Sequence, residues 1–144
     1  MKIKPILNAS ALVMAISALA LSAGCTDRGI KVELKPADAK VAATGVAQIH
    51  IDNLDNRVIN LEISELPAPD VFDDGAEHYV LWARKTDGEP LRLGVVEREE
   101  DGGAEFVTTT KAKQFSLLLT AEKDDDPERP GVSVMLSQPK KITE

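Results

Sequence analysis

Two histidines, one cysteine and two runs of aspartate are the side chains with the most chemistry to offer in this sequence. To hold a metal ion such as zinc, His50 and His78 would have to converge with carboxylates. They do not stand at ligand-pair spacing, so both are weak candidates, and no metal or cofactor is predicted. Asp73-Asp74 and Asp124-Asp125-Asp126 supply oxygens of the kind calcium takes, but they lack the alternating Asp-x-Asp-x-Asp-Gly layout. Runs of like charge ordinarily face water, which is the plainer account of both. There is no Gly-x-Ser-x-Gly elbow and no Gly-rich phosphate loop between a strand and a helix, so catalysis is not predicted. Tyr79 and Trp82 would suit an aromatic ligand patch. A tryptophan in a β-sandwich is more commonly the pin of its core, and Tyr79 shares a strand face with Leu81 and Ala83. Both aromatics are therefore expected inside. Cys25 is the only thiol, so an intrachain disulfide is excluded, and its position is what informs.

Ahead of Cys25 the chain has the layout of a secretory leader. Lys2 and Lys4 make a basic start, Pro5 to Gly24 carries no charge, and Ala11 to Leu21 is apolar. The apolar stretch is short and diluted with Ala and Ser, whereas a spanning helix needs about 20 strongly apolar residues. The boundary Leu21-Ser22-Ala23-Gly24-Cys25 resembles the lipobox of bacterial lipoproteins. That resemblance implies that Leu21, Ser22, Ala23 and Gly24 are read by a signal peptidase, and that Cys25 carries a diacylglycerol and becomes the first mature residue. Ser22 departs mildly from the usual Leu at its position. Two or more acyl chains give firm anchoring, because each buried methylene contributes about 0.8 kcal/mol. In the sorting rules of such lipoproteins, Asp directly after the Cys favours the inner membrane. Here Thr26 follows and Asp27 comes one place later, which implies the outer membrane, facing the periplasm or cell surface.

The chain has 144 residues, and loss of the first 24 leaves 120, an ordinary size for one core. Removing Lys2 and Lys4 takes the formal charge from −7 to −9. Such a protein repels phosphate backbones and anionic lipid surfaces, so nucleic acid is excluded as a partner. Aromatics are few, which implies a core of Val, Leu, Ile and Ala.

These residues must be positioned by strands. Ala47, Ile49 and Ile51 alternate with polar neighbours, as do Ile59, Leu61 and Ile63, and the turn-rich Asp52 to Asn56 lies between them, predicting a β-hairpin. His78 to Arg84 is apolar on both sides, which predicts a central strand. Asp87-Gly88 and Asp101-Gly102-Gly103 mark turns, and strands are expected over Leu91 to Val96, Phe106 to Thr110, Phe115 to Ala121 and Val132 to Leu136. Ile30-Val32-Leu34 alternates as a first strand would, and Ala37 to Thr44 has the composition of a short helix. The fold class is all-β: an Ig-like antiparallel β-sandwich of seven or eight strands. The expected division is signal peptide 1–24, lipidated Cys and polar lead-in 25–44, sandwich 45–138 and tail 139–144.

One further likeness runs from Gly45 to Ser137. Leu66-Pro67, an acidic Gly-containing loop, His78-Tyr79-Val80-Leu81-Trp82, Asp87-Gly88, Leu93-Gly94-Val95 and Phe115 to Glu122 occur in that order. With Thr120-Ala121-Glu122 and the Pro127 to Pro130 loop, this resembles the C-terminal extracytoplasmic domain of the anti-sigma-K factor family. In that family a cytoplasmic N-terminal domain, joined through a membrane helix, holds the sigma factor. Neither element is legible here, so the resemblance implies an extracytoplasmic β-sandwich and brings no catalytic residues. The function expected is a non-enzymatic, lipid-anchored envelope protein, attached to the membrane through Cys25, that binds or spaces an envelope partner. Metal or ligand binding in the periplasm through His50, His78 and the acidic loops, or a sensor-type domain, are the alternatives.

Overall fold

The computed structural model describes residues 29–143; the leader, Cys25 and the lipobox residues Leu21, Ser22, Ala23 and Gly24 lie outside them. Nine strands form among the described residues: β1 (Ile30–Pro36), β2 (Thr44–Ile51), β3 (Arg57–Ser64), β4 (His78–Lys85), β5 (Leu91–Val96), β6 (Ala104–Thr110), β7 (Gln114–Glu122), β8 (Val132–Ser137) and the short β9 (Lys140–Lys141). A 3-10 turn at Pro69–Val71 is the only helical element among the described residues. The fold is all-β and antiparallel, as the alternation predicts.

The strands run β5-β4-β7-β8-β1-β2-β3-β6 in one sheet, with β9 pairing the start of β7. The halves β6-β3-β2-β1 and β8-β7-β4-β5 each turn one face to a common core, which draws Ala47, Ile49, Ile59 and Leu61 from the first and Tyr79, Leu81, Leu117 and Leu119 from the second. The halves join at a narrow seam, where Leu34, Lys35 and Pro36 of β1 pair with Ser137, Leu136 and Met135 of β8. The two end strands lie side by side without a ladder, giving a nearly closed, barrel-like sandwich. Gly94, at φ +150°, makes that approach possible: a Cβ there would stand 2.7 Å from Cζ of Phe106, whose ring covers the gap. The Thr108 hydroxyl donates to the Leu93 carbonyl across it at 3.3 Å.

Three sequence expectations need revision. β1 is not lead-in; it pairs β2 over Ile30 to Leu34 and sits in the middle of the sheet, so the sandwich begins at Ile30 and not at Gly45. Ala37 to Thr44 is not helical. The Asp38 carboxylate accepts from the Lys40 N–H at 2.9 Å and the Asp38 carbonyl accepts from the Val41 N–H at 3.1 Å, which closes a turn instead. The tail likewise contributes β9 and buries Ile142.

The connections sort into two poles. The near pole carries the start of β1, the β2–β3 and β4–β5 turns, the β6–β7 link and β9. The far pole carries the β1–β2, β3–β4 and β5–β6 connections and the two ends of the β7–β8 loop.

Candidate functional site

The two histidines are kept apart. His50 follows Ile49 on β2 and takes the opposite, outward face; His78 opens β4 on the side opposite Tyr79. The two strands belong to different halves, so outward side chains diverge. Among the described residues no group of three His, Cys, Asp or Glu is placed to hold a metal ion. The acidic run 124–126 is engaged by a cation of the protein itself: Arg92 Nη2 donates to the Asp125 carbonyl at 2.5 Å, and Arg92 Nε lies 3.5 Å from Asp126 Oδ1.

Trp82 is buried, 1% exposed, but it is not the pin between the halves. It lies on the outer face of the β4–β7 half, in a separate cluster with Val80 and Leu118, against which Val95 and Leu136 pack. Strand parity explains this. Tyr79, Leu81 and Ala83 take the core side, so Val80 and Trp82 must take the other. There the indole finds the partner it needs: Nε1 donates to Thr120 Oγ1 at 2.9 Å. Thr120 in turn donates to Glu122 Oε1 at 2.5 Å, and that oxygen also accepts from the Gly131 N–H at 2.6 Å. Glu122 thus fastens the end of the β7–β8 loop to the sheet while Arg92 holds its acidic middle. A carboxylate beside a hydroxyl is the arrangement of an activated nucleophile. Here the hydroxyl is 0% exposed and already accepts from the indole, so no substrate reaches it.

Tyr79 lies in the main core, as expected, with Phe72 meeting its ring edge-on at 6.3 Å. Its hydroxyl donates to the Pro67 carbonyl at 2.6 Å, Arg98 Nε donates to the Leu66 carbonyl at 2.6 Å, and the Leu66 N–H donates to the Gly102 carbonyl at 2.9 Å. The Leu66-Pro67 step is pinned from three sides. Burial pushes the phenol well above its ordinary value, outweighing the Arg98 charge. A raised phenol contributes stability that is fully present below about pH 10 and is lost as pH rises through the folded value. Replacing Tyr79 with Phe is expected to cost about 1 kcal/mol at neutral pH, the lost hydrogen bond, and to remove the alkaline loss. Urea melts of both proteins at pH 7 and above pH 10 check this; an unchanged alkaline decline in the variant would exclude Tyr79 as its source.

At the near pole the β2–β3 turn is held from several sides. Asp52 Oδ1 accepts from the N–H groups of Leu54 and Asn56, both at 2.9 Å, and Asp52 Oδ2 accepts from Asn56 Nδ2 at 2.7 Å. The Asn56 side-chain bond holds the Asp52 carboxyl below the usual aspartate range, helped by the backbone bonds. Arg57, 2% exposed, donates to the Asp55 carbonyl at 2.6 Å and pairs with its carboxylate at 3.0 Å, with a longer contact to the Ile142 carbonyl at 3.4 Å. Lys111 Nζ donates to the Leu54 carbonyl at 2.6 Å. The turn so fastened presents Leu54 at 73% exposure.

No family model and no curated protein matches the chain.

A groove of about 450 Å³ with both apolar and charged walls runs along the β1–β8 seam, lined by Val32, Pro36 and Leu136 with Lys31, Glu33, Lys35, Gln138 and Lys140. It exists because β8 pairs only the last residues of β1, leaving Ile30 to Glu33 without a ladder on that side. Sequence reasoning did not find this groove, nor Arg57, Arg92 and Glu122. The charged residues carried one signal, since each sits within or against an apolar run, where an ion must be paired.

Proposed function

We propose that the chain is a non-enzymatic, lipid-anchored envelope protein. Cys25 carries the acyl chains, and the β-sandwich is held close to the membrane, where it binds or spaces an envelope partner. The observation that carries this reading is the shortness of the join. The sheet begins at Ile30, five residues beyond the cysteine of the lipobox-like boundary. Five residues reach at most about 17 Å when fully extended. A cysteine so close to an integral strand suits attachment of the domain to a surface. The sandwich's buried polar groups support the non-enzymatic part: Arg57, Thr120 and Glu122 are occupied in fastening loops. The seam groove is the place where we expect a partner segment, since the unpaired side of β1 offers backbone groups to an added strand. The position of Asp27, one place beyond the residue after Cys25, favours the outer membrane.

Fractionation of cells expressing the full chain or its Cys25→Ala variant tests this reading. The wild type should stay with the membrane through a high-salt wash. The variant should retain its leader and incorporate no labelled palmitate. Recovery of the wild type in the soluble fraction would overturn the proposal.

A further inference from the structure

The charges of this acidic chain are not spread evenly between its poles. The near pole carries Arg84, Lys85, Lys111, Lys113, Lys140 and Lys141, all exposed. Against them stand Asp52, Asp55, Asp87 and Glu89, while the acidic β7–β8 loop with Asp124, Asp125, Asp126 and Glu128 lies between the poles on the outer face, where Arg92 engages Asp125 and Asp126. Asp55 is paired with Arg57 and, at 3.6 Å, with Lys113, and Asp52 is turned into its own loop by three hydrogen bonds. The far pole carries Glu65, Asp70, Asp74, Glu99, Glu100 and Asp101, all exposed, in the β3–β4 and β5–β6 connections. The most exposed large apolar side chain among those described, Leu54, stands on the basic pole at the tip of the fastened β2–β3 turn. The start of β1, where the chain arrives from Cys25, is on the same pole.

We propose that the near pole is a membrane-docking surface: Leu54 enters the interfacial layer of the bilayer and the surrounding lysines lie against anionic headgroups. Three independent features meet there: the point of chain entry, the excess of cations and a rigidly presented leucine. An isolated exposed leucine means little by itself. One held outward by Asp52, Lys111 and the Arg57–Asp55 pair, among cations, has the composition of an interfacial anchor. The overall negative charge does not oppose this. The nine residues of β7 separate the poles by about 30 Å, and charges are screened over about 8–10 Å at ordinary ionic strength. The bilayer therefore meets the near pole's charge, and the far pole's carboxylates are directed away from it. The expectation from net charge alone, that anionic lipid repels the protein, holds only for the far pole.

The inference rests on the proposed anchor at Cys25 for its orientation, and the test separates the two. With Cys25 acylated, Leu54→Cys introduces the only free thiol in the full chain, and an environment-sensitive fluorophore is attached there. An Asp74→Cys chain, labelled in the same way, reports the far pole. Both are placed in phosphatidylcholine vesicles with or without one part in three of phosphatidylglycerol, and quenching by headgroup-level spin-labelled lipid is read. The expected result is strong quenching at position 54 in the anionic vesicles, little at position 74, and reversal in 1 M salt. Neutralising Lys85, Lys140 and Lys141 to Gln should lower the seated population about fivefold per lysine. A position-54 probe that stays aqueous in the anionic vesicles overturns the docking surface while leaving the anchor intact. Shielding of position 54 in native envelopes but not in vesicles overturns it in favour of a protein partner. Absence of an acyl mass on Cys25 overturns the anchor; quenching at position 54 of the unacylated chain added to anionic vesicles then still decides the docking surface.

Discussion

Trp82→Ala is expected to lower the unfolding free energy of the sandwich by about 3–5 kcal/mol, a large part of the 5–15 kcal/mol typical of a folded protein. The indole is 1% exposed and fills the outer cluster between Val80 and Leu118. Removing it takes away the donor to Thr120 and the surface against which Leu136 and Val95 pack. The loss should be greatest on one face: amide exchange should quicken in the β7–β8 loop, whose end Glu122 holds through Gly131, more than in the β2–β3 hairpin on the other half. Trp82→Phe separates the contributions. It keeps most of the apolar volume and loses the indole hydrogen bond, which should cost about 1 kcal/mol. Equilibrium urea unfolding followed by far-ultraviolet circular dichroism measures all three proteins, since the variants lose the only tryptophan. A Trp82→Ala protein as stable as the parent would show that the outer cluster contributes nothing.

Leu119→Ala is expected to cost about 2–5 kcal/mol by a different route. Leu119 is 0% exposed and pairs with Leu81 of β4 and Met135 of β8 at the centre of the main core. Its deletion leaves a void shared by both halves, so protection should fall throughout the sheet. Trp82 and Leu119 lie on adjacent strands but on opposite faces, in clusters that do not share members. Their effects should therefore add within about 0.5 kcal/mol in the double variant. Marked non-additivity would mean that the two faces are coupled through the strands themselves. Intrinsic fluorescence of Trp82 in the native state should be unchanged by Leu119→Ala, since the indole's surroundings are on the far side of the sheet.

Much of this fold is legible in the alternation of residue types. The runs around Asp52 to Asn56 predict a hairpin, and the observed register sets Ala47 opposite Leu61 and Ile49 opposite Ile59. The two-sided apolar character of His78 to Arg84 predicts a central strand, and β4 is flanked by β5 and β7. Alternation has no sign, however. It separates Tyr79, Leu81 and Ala83 from Val80 and Trp82 without saying which set faces inward, and the analogy with the core tryptophans of other β-sandwiches suggested the wrong side. The polar residues farther along the same face of β7, Thr120 opposite Val80 and Glu122 opposite His78, held the missing information, because an indole N–H and a buried carboxylate both require partners. Pro36 and Asp38 lie in the stretch expected to be lead-in. They are the end of β1 and the turn that returns the chain to β2.

Less of the candidate site was legible, for a physical reason. Cys25 stands out locally because its surroundings in the chain are themselves the signal. The near pole does not, since its lysines come from the β4, β6–β7 and β9 segments and are gathered only by strand pairing. Net charge sums over that arrangement and hides it. The seam groove depends on where the β1–β8 ladder stops, which no local pattern records.

Lipid anchoring at Cys25 is tested most directly by the mass of the N-terminal peptide of the protein recovered from cells. A chain beginning at Cys25 and carrying a diacylglycerol with a further acyl group is the predicted result. A chain that still begins at Met1, or one whose Cys25 thiol is free to react, would contradict it.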